Sequence, residues 1–234
     1  MTTADPTRRP PQRWAEHENL LFREIAKRLG RSLEPDALIR EMLHLLSELL
    51  GLNRGRVLLF DAERNALVLR HAYGLTRAEM SRGVFAPGEG ITGRVFRDGR
   101  GVIVQDIDAE PAFLCRTVDR AHLPQETVAY IALPIEIGGR TVGVLGCHRL
   151  RSRDRAVNDD LQVLTIVATQ IGQILTLNRL VEERTAALQK ENRQLKRALE
   201  DAAVTAHASG IIGESSRLLG ALRQIERVAG TDAT

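Results

Sequence analysis

VAYIALPIEIGGRTVGVLGCH, residues 128–148, consists of two apolar runs hinged on a glycine pair. Gly-Gly between such runs predicts a tight β-hairpin, because the favoured two-residue turns need positive φ and glycine adopts it freely. The strands are expected at 128–137 and 140–148, with the turn at Gly138 and Gly139. Upstream, Val102-Ile103-Val104 predicts a short buried strand. RVLLFD (56–61) and ALVLRHAY (66–73), joined by the polar AERN, predict a second antiparallel pair.

Helical periodicity brackets these strands. Leu20, Leu21, Ile25 and Leu29 recur at three- and four-residue spacing before Gly30. Ser32 and Glu34-Pro35 then open a second helix, with Leu38, Ile39, Met42, Leu45, Leu46, Leu49 and Leu50 on its buried side and Gly51 at its end. GEGITGRVFRDG (88–99) reads as a short helix between glycines, and 106–125 as an irregular crossover with a helical turn or two. The resulting order predicts an α+β fold: an antiparallel sheet with helices packed on one face.

The long helix at the end begins near residue 156 and runs to about 201, with no proline and one glycine, Gly172. It would be roughly 70 Å long. Its first half is apolar and its second half charged, and one heptad register fits both. One core series is Leu164, Ile171, Asn178, Thr185, Asn192, Leu199; the other is Val167, Ile174, Val181, Leu188, Leu195. Leu or Val at d with single Asn residues at a suits a parallel two-stranded coiled coil. The alternative is a monomeric helix with a solvated polar end. The dimer is the expectation, because a lone polar half-helix has little to hold it.

With 43% hydrophobic residues among 234, the chain supports one core-forming domain plus extended helix rather than two full domains. The net charge of +3 is spread over interleaved acids and bases, apart from PTRRPPQR near the start, and gives no argument for nucleic acid. Two cysteines, Cys115 and Cys147, are too few for a disulfide scaffold. MTTADPTRRPP lacks the apolar core of a secretory signal, and no window of about 18 uninterrupted apolar residues exists. A cytoplasmic protein without a membrane span is expected. The ending GTDAT reads as a cut within something larger.

GEGITGRV followed by DG and VIVQDI, together with LPIEIGGRTVGVLGCHR before the terminal helix, resembles a GAF domain over about residues 13–179. PAFLCRT (111–117) followed by YIALPI is most similar to the N-terminal domains of NifA-type activators of nitrogen-fixation genes. GIIGESSRLLGALRQIERVAGTDAT (210–234) resembles the opening of the AAA+ domain of sigma-54-dependent activators, stopping short of any G-x-x-x-x-G-K-[ST]. The expected organisation is a disordered segment over 1–12, a GAF sensor over 13–179, a coiled-coil linker over 180–205 and the start of an AAA+ domain over 206–234. The resemblance implies a regulatory, non-catalytic fragment that dimerises through its last helix. In the full-length parent it implies sigma-54 RNA polymerase, ATP and DNA as partners, with a regulatory protein as a further partner.

Gly88, Gly90 and Gly93 have dinucleotide-fingerprint spacing, but Pro87 precedes them, the helix is short and no βαβ unit surrounds them; a tight helix start is the better reading. Cys147 and His148 are strand neighbours pointing to opposite faces and cannot chelate one ion, and Cys115 stands alone, so no metal, bilin or other cofactor is expected. The crossover is long and polar enough to be a ligand lid. In it Phe113 would wall a pocket while Arg116 and Thr117 hold an anion; Arg94 would approach from the short helix, and Tyr130 and His148 from the hairpin. The alternative is that these are surface residues of a solvated loop. The resemblance implies 2-oxoglutarate as an effector, with Arg116 as its expected anchor. A histidine-kinase sensor is disfavoured because His207 stands in AHASG before a glycine. A methionine sulfoxide reductase would need several reactive cysteines in one pocket. A sensor answering only to a partner protein remains a rival.

Overall fold

In the computed structural model the glycine pair does what the sequence requires of it: Gly138 and Gly139 take φ of 57° and 75°. They join β5 (Val128–Ile137) to β6 (Arg140–Leu150) in register, Tyr130 opposite His148 and Ile131 opposite Cys147. The structure describes residues 12–29, 34–150 and 156–208, and isolated positions between 215 and 224. Around the hairpin, β4 (Val102–Val104) pairs with the outer edge of β5, and β1 (Asn53–Asp61) with β6. β2 (Ala66–Ala72) and the two-residue β3 (Val84–Phe85) complete an antiparallel sheet of order β3-β2-β1-β6-β5-β4. β3 is too short for any alternation to announce it.

Both faces of the sheet are covered, and the strand alternation divides its side chains between two cores. Ile131, Leu133, Ile135, Leu145 and Cys147 face the first core. There they meet Leu21 and Ile25 of α1 (Gln12–Leu29), and Ile39, Met42 and Leu46 of α2 (Pro35–Leu50), which ends at Gly51 as expected. Val128, Tyr130, Ala132 and Val144 face the second core. It is closed by Ile91 and Val95 of α4 (Gly90–Asp98) and by Ile107, Val118 and Leu123 of the crossover. α3 (Arg77–Ser81), held by a capping box between Thr76 and Glu79, leads from β2 towards β3. The long helices therefore gather on one face, as the pattern predicts, and the crossover lies over the other. Among the expected segments, 1–11, Gly30, Ser32 and most of 209–234 lie outside the described residues.

α5 (Val157–Ala208) is one helix of 52 residues. By length and composition, Val157–Leu199 would pass for a membrane span. However, Val163, Leu164, Val167, Ala168, Ile171 and Ile174 are packed into the first core, as in a core helix of a soluble domain. Leu164, Val167, Ile171 and Ile174, which the heptad pattern offers to a partner helix, are thus spent within their own domain. From Leu177 the apolar residues turn outward, with Val181, Leu188, Leu195 and Leu199 all exposed. The chain divides into compact units at 1–178 and 179–234.

One charged pair interrupts the first core. Arg149 Nε lies 2.6 Å from Asp160 Oδ2, and both side chains are almost wholly buried. The pair ties the end of β6 to the first turn of α5, where an acid also complements the helix dipole. Removing one partner strands a buried charge, so Asp160→Ala should cost about 3–5 kcal/mol in urea unfolding. Replacing both, as Arg149→Met with Asp160→Leu, should recover most of that loss.

Candidate functional site

Arg56 stands near the start of β1, opposite Gly146 of β6, and its side chain is buried in the second-core face. A Cβ at Gly146 would collide with the Tyr130 phenol, so the missing side chain is what lets Tyr130 lie across the strand. The Arg56 guanidinium packs on the Tyr130 ring, 4.5 Å from its centroid. Its Nη1 donates to Thr117 Oγ1 at 2.7 Å, and its Nε approaches Tyr130 Oη at 3.4 Å. Among the described residues its hydrogen-bond partners are neutral oxygens; no carboxylate pairs with it.

Three rings close the cluster. Phe113 of the crossover meets Tyr130 edge-on at 5.0 Å and His148 at 5.8 Å, and Tyr130 and His148 are 5.3 Å apart. His148 is 2% exposed, and neither ring nitrogen has a hydrogen-bond partner among the described residues. Burial above all, with the positive charges of Arg56 and Arg54 behind it, holds its pKa well below the ordinary histidine range, so the ring is neutral. The site thus combines a buried cation, two hydroxyls, a neutral imidazole and an aromatic wall. Perturbed, buried groups of this kind concentrate at functional sites.

Four of the expected site residues, Phe113, Thr117, Tyr130 and His148, meet here. Arg116 and Arg94 do not. Arg116 forms a fork with the Glu89 carboxylate, at 2.5 Å from Nη2 and 3.2 Å from Nη1, donates also to the Val84 carbonyl, and stacks over Phe85. Its bond, with one from the Ala86 amide, keeps the Glu89 carboxyl below the usual range. Arg94 is exposed and lines a surface hollow with Asp98, Arg100, Gly101 and Val102. Arg56, which composition and periodicity left among the strand residues, supplies the buried cation instead. The available signal was its position two residues before Leu58, on the parity that faces the second core.

The crossover is held from outside by Arg54 of β1, which donates to the carbonyls of His122 (2.8 Å) and Gly74 (3.2 Å). Within the crossover Arg120 pairs with Asp108 at 2.7 Å. At the G-x-G-x-x-G stretch, the Gly88 amide donates to the Gly93 carbonyl, a Cβ at Gly93 would strike the Ala86 carbonyl, and Glu89 occupies the helix entrance. This is a tight turn into α4 rather than a phosphate cradle. Cys147 lies in the first core with its thiol pushed up to about 12 by burial, on the opposite face from His148. No group of three potential metal ligands occurs among the described residues.

The sequence pattern of the GAF domain family matches residues 34–175. The Nif-specific regulatory protein of Azospirillum brasilense is 34% identical over 219 residues, covering 93% of this chain and 35% of the relative. The nitrogen fixation protein VnfA of Azotobacter vinelandii is 33% identical over 215 residues, covering 92% and 41%. The chain therefore spans little more than a third of the length of such curated relatives. Among solved structures, the A. aeolicus nlh2 GAF domain in an inactive state superposes with a TM-score of 0.63 at 25% identity, covering 70% of this chain and 99% of that one. The free methionine-R-sulfoxide reductase of Neisseria meningitidis shares the fold, with a TM-score of 0.59 at 20% identity over 74% of this chain and 96% of its own.

The buried histidines set a pH dependence. His71 and His148 are both shifted down, chiefly by burial, whereas in the unfolded chain they titrate near 6.5. Below that value the unfolded state binds more protons, so stability is retained above about pH 6.5 and lost as pH falls through the window beneath it. His148→Phe should flatten, without abolishing, the fall in urea midpoint between about pH 7 and pH 5.

Proposed function

The chain belongs to the GAF domain family, and on that premise we propose that it is the regulatory sensor region of a sigma-54-dependent transcription activator of the Nif-specific type. The observation that carries this reading is the similarity to Nif-specific regulatory proteins along more than nine-tenths of the chain. The whole protein would act in the cytoplasm, with sigma-54 RNA polymerase, ATP and DNA as the partners of its remaining domains. The region itself is regulatory rather than catalytic. It binds a small metabolite such as 2-oxoglutarate beneath the crossover, where Phe113, Thr117, Tyr130 and His148 meet, and Arg116 fastens that lid to Glu89.

The output is the second half of α5. Val181, Leu188 and Leu195 recur every seven residues on an exposed stripe, the spacing of a d series in a two-stranded coiled coil. A homodimer through this stripe passes the state of the sensor to the adjoining AAA+ domain. A second reading, in which a protein partner alone drives the domain, draws support from the ring of Phe113 packed against Tyr130 and His148, which fills the space a metabolite would take.

Two measurements test the proposal. Sedimentation should give a dimer that Leu188→Asp with Leu195→Asp converts to monomer; a wild-type monomer at all concentrations removes the coiled coil. Addition of 2-oxoglutarate should raise Tm, by about 3 °C or more at tenfold its Kd. No shift at millimolar concentration leaves the protein-partner reading.

A further inference from the structure

The two edges of the sheet are treated differently. A free strand edge offers unpaired N–H and C=O groups, and proteins normally shorten it, cover it or charge it. At the β3 edge the Gly83 carbonyl accepts from Leu69 of β2, so Val84 is the outward residue. Both of its backbone groups are taken, the carbonyl by Arg116 Nη1 and the amide by the Arg82 carbonyl at 2.9 Å. At the β4 edge the outward residue is Ile103. The Val128 carbonyl accepts from the Ile107 amide, so the even-numbered residues of β5 turn their backbone groups to that side. Val102 and Val104 therefore bond Ala132 and Tyr130 across the ladder, and Ile103 turns its N–H and C=O away from β5. Among the described residues no backbone or side-chain bond reaches them. β4 itself carries neither proline nor charge, the devices that commonly protect an edge.

The same edge borders a charged hollow of about 570 Å³ between the end of α4 and the start of β4. Its walls carry Arg94 and Arg100, both exposed and neither paired with an acid among the described residues. Asp98, the acid that lines the hollow with them, is already held in a fork by Arg97, at 2.7 and 3.2 Å. An open strand edge and two unanswered positive charges thus lie side by side. We propose, resting on the reading in which a protein partner acts on the domain, that β4 receives an extended acidic segment of that partner as an added strand. Strand addition draws affinity from main-chain bonds, here to Ile103, and specificity from alternate side chains. Every second residue of the incoming strand falls on the face of the hollow. Acids placed two apart therefore project towards Arg94 and Arg100, and a segment with lysines in their place is repelled.

The experiment uses the intact chain and three labelled peptides, read by fluorescence anisotropy. They are Val-Glu-Val-Glu-Val-Thr, its lysine counterpart Val-Lys-Val-Lys-Val-Thr, and the acidic peptide with its backbone amides N-methylated, which keeps the charge and removes the donors. The acidic peptide should bind and the lysine peptide should not, and methylation should weaken binding about fivefold or more. Arg94→Glu with Arg100→Glu should weaken the acidic peptide about tenfold or more and transfer binding to the lysine peptide. Should that variant fold poorly, the comparison of the three peptides on the wild type carries the test. Amide exchange at Ile103 should slow when the acidic peptide is bound. No binding of the acidic peptide at millimolar concentration, or binding indifferent to the charge reversal, sinks the proposal. Binding that methylation leaves intact would make the contact electrostatic only and overturn strand addition. A dimer that persists in Leu188→Asp with Leu195→Asp and is split by the acidic peptide would make a second copy of this chain the occupant, and overturn it as well. The Tm measurement with 2-oxoglutarate decides the protein-partner reading separately from all of these outcomes.

Discussion

A strand buried on both sides obliges alternate residues to serve different cores, and in this protein that constraint organises everything else. β6 places Leu145 and Cys147 in the helical core and Val144 in the core beneath the crossover. His148 continues the second series and Arg149 the first, so two adjacent residues carry polar groups into opposite cores. One stands in the candidate site; the other grips the first turn of α5. A displacement of the strand at this point is felt on both faces, because packed interiors have no slack to absorb it.

The two buried arginines, Arg149 and Arg56, differ in kind. Arg149 and Asp160 neutralise one another at 2.6 Å, and such a pair serves to position elements more than to stabilise them. Arg56 has no such partner among the described residues, only Thr117, the Tyr130 ring and a weak phenolic contact. A fold selected for stability alone has no use for that arrangement, since an apolar side chain of similar volume would fill the space at lower cost. The crossover is fastened to the rest of the domain by the Arg116–Glu89 pair and by the bond from Arg54 to the His122 carbonyl, and is braced internally by Arg120 with Asp108, rather than by burial alone. Links of that sort are weak individually and reversible.

α5 meets two opposite demands along one helix. Its first half gives Val163, Leu164, Val167, Ile171 and Ile174 to the domain core. Its second half shows Leu and Val at seven-residue spacing to solvent. A heptad of leucines does not say which surface it will meet, because a sheet-covering helix and a coiled-coil helix both need one apolar stripe.

What the sequence determined by itself was whatever depends on neighbours in the chain. The Gly138-Gly139 turn follows from φ, the end of α2 at Gly51 from a left-handed cap, and the opposed faces of Cys147 and His148 from strand geometry. Phe113, Thr117, Tyr130 and His148 were legible as candidates because a long polar crossover and a hairpin are recognisable locally, and the fold does bring these four side chains together. The tertiary structure alone decided which cation they meet. Arg116 and Arg56 are equally charged in the sequence, and Arg116 sits beside the right residues. Only folding brings Glu89, 27 positions earlier, onto Arg116 and leaves Arg56 without an acid. Charge pairing is set by distances through space and by access to water, and neither is written in the spacing of residues along the chain.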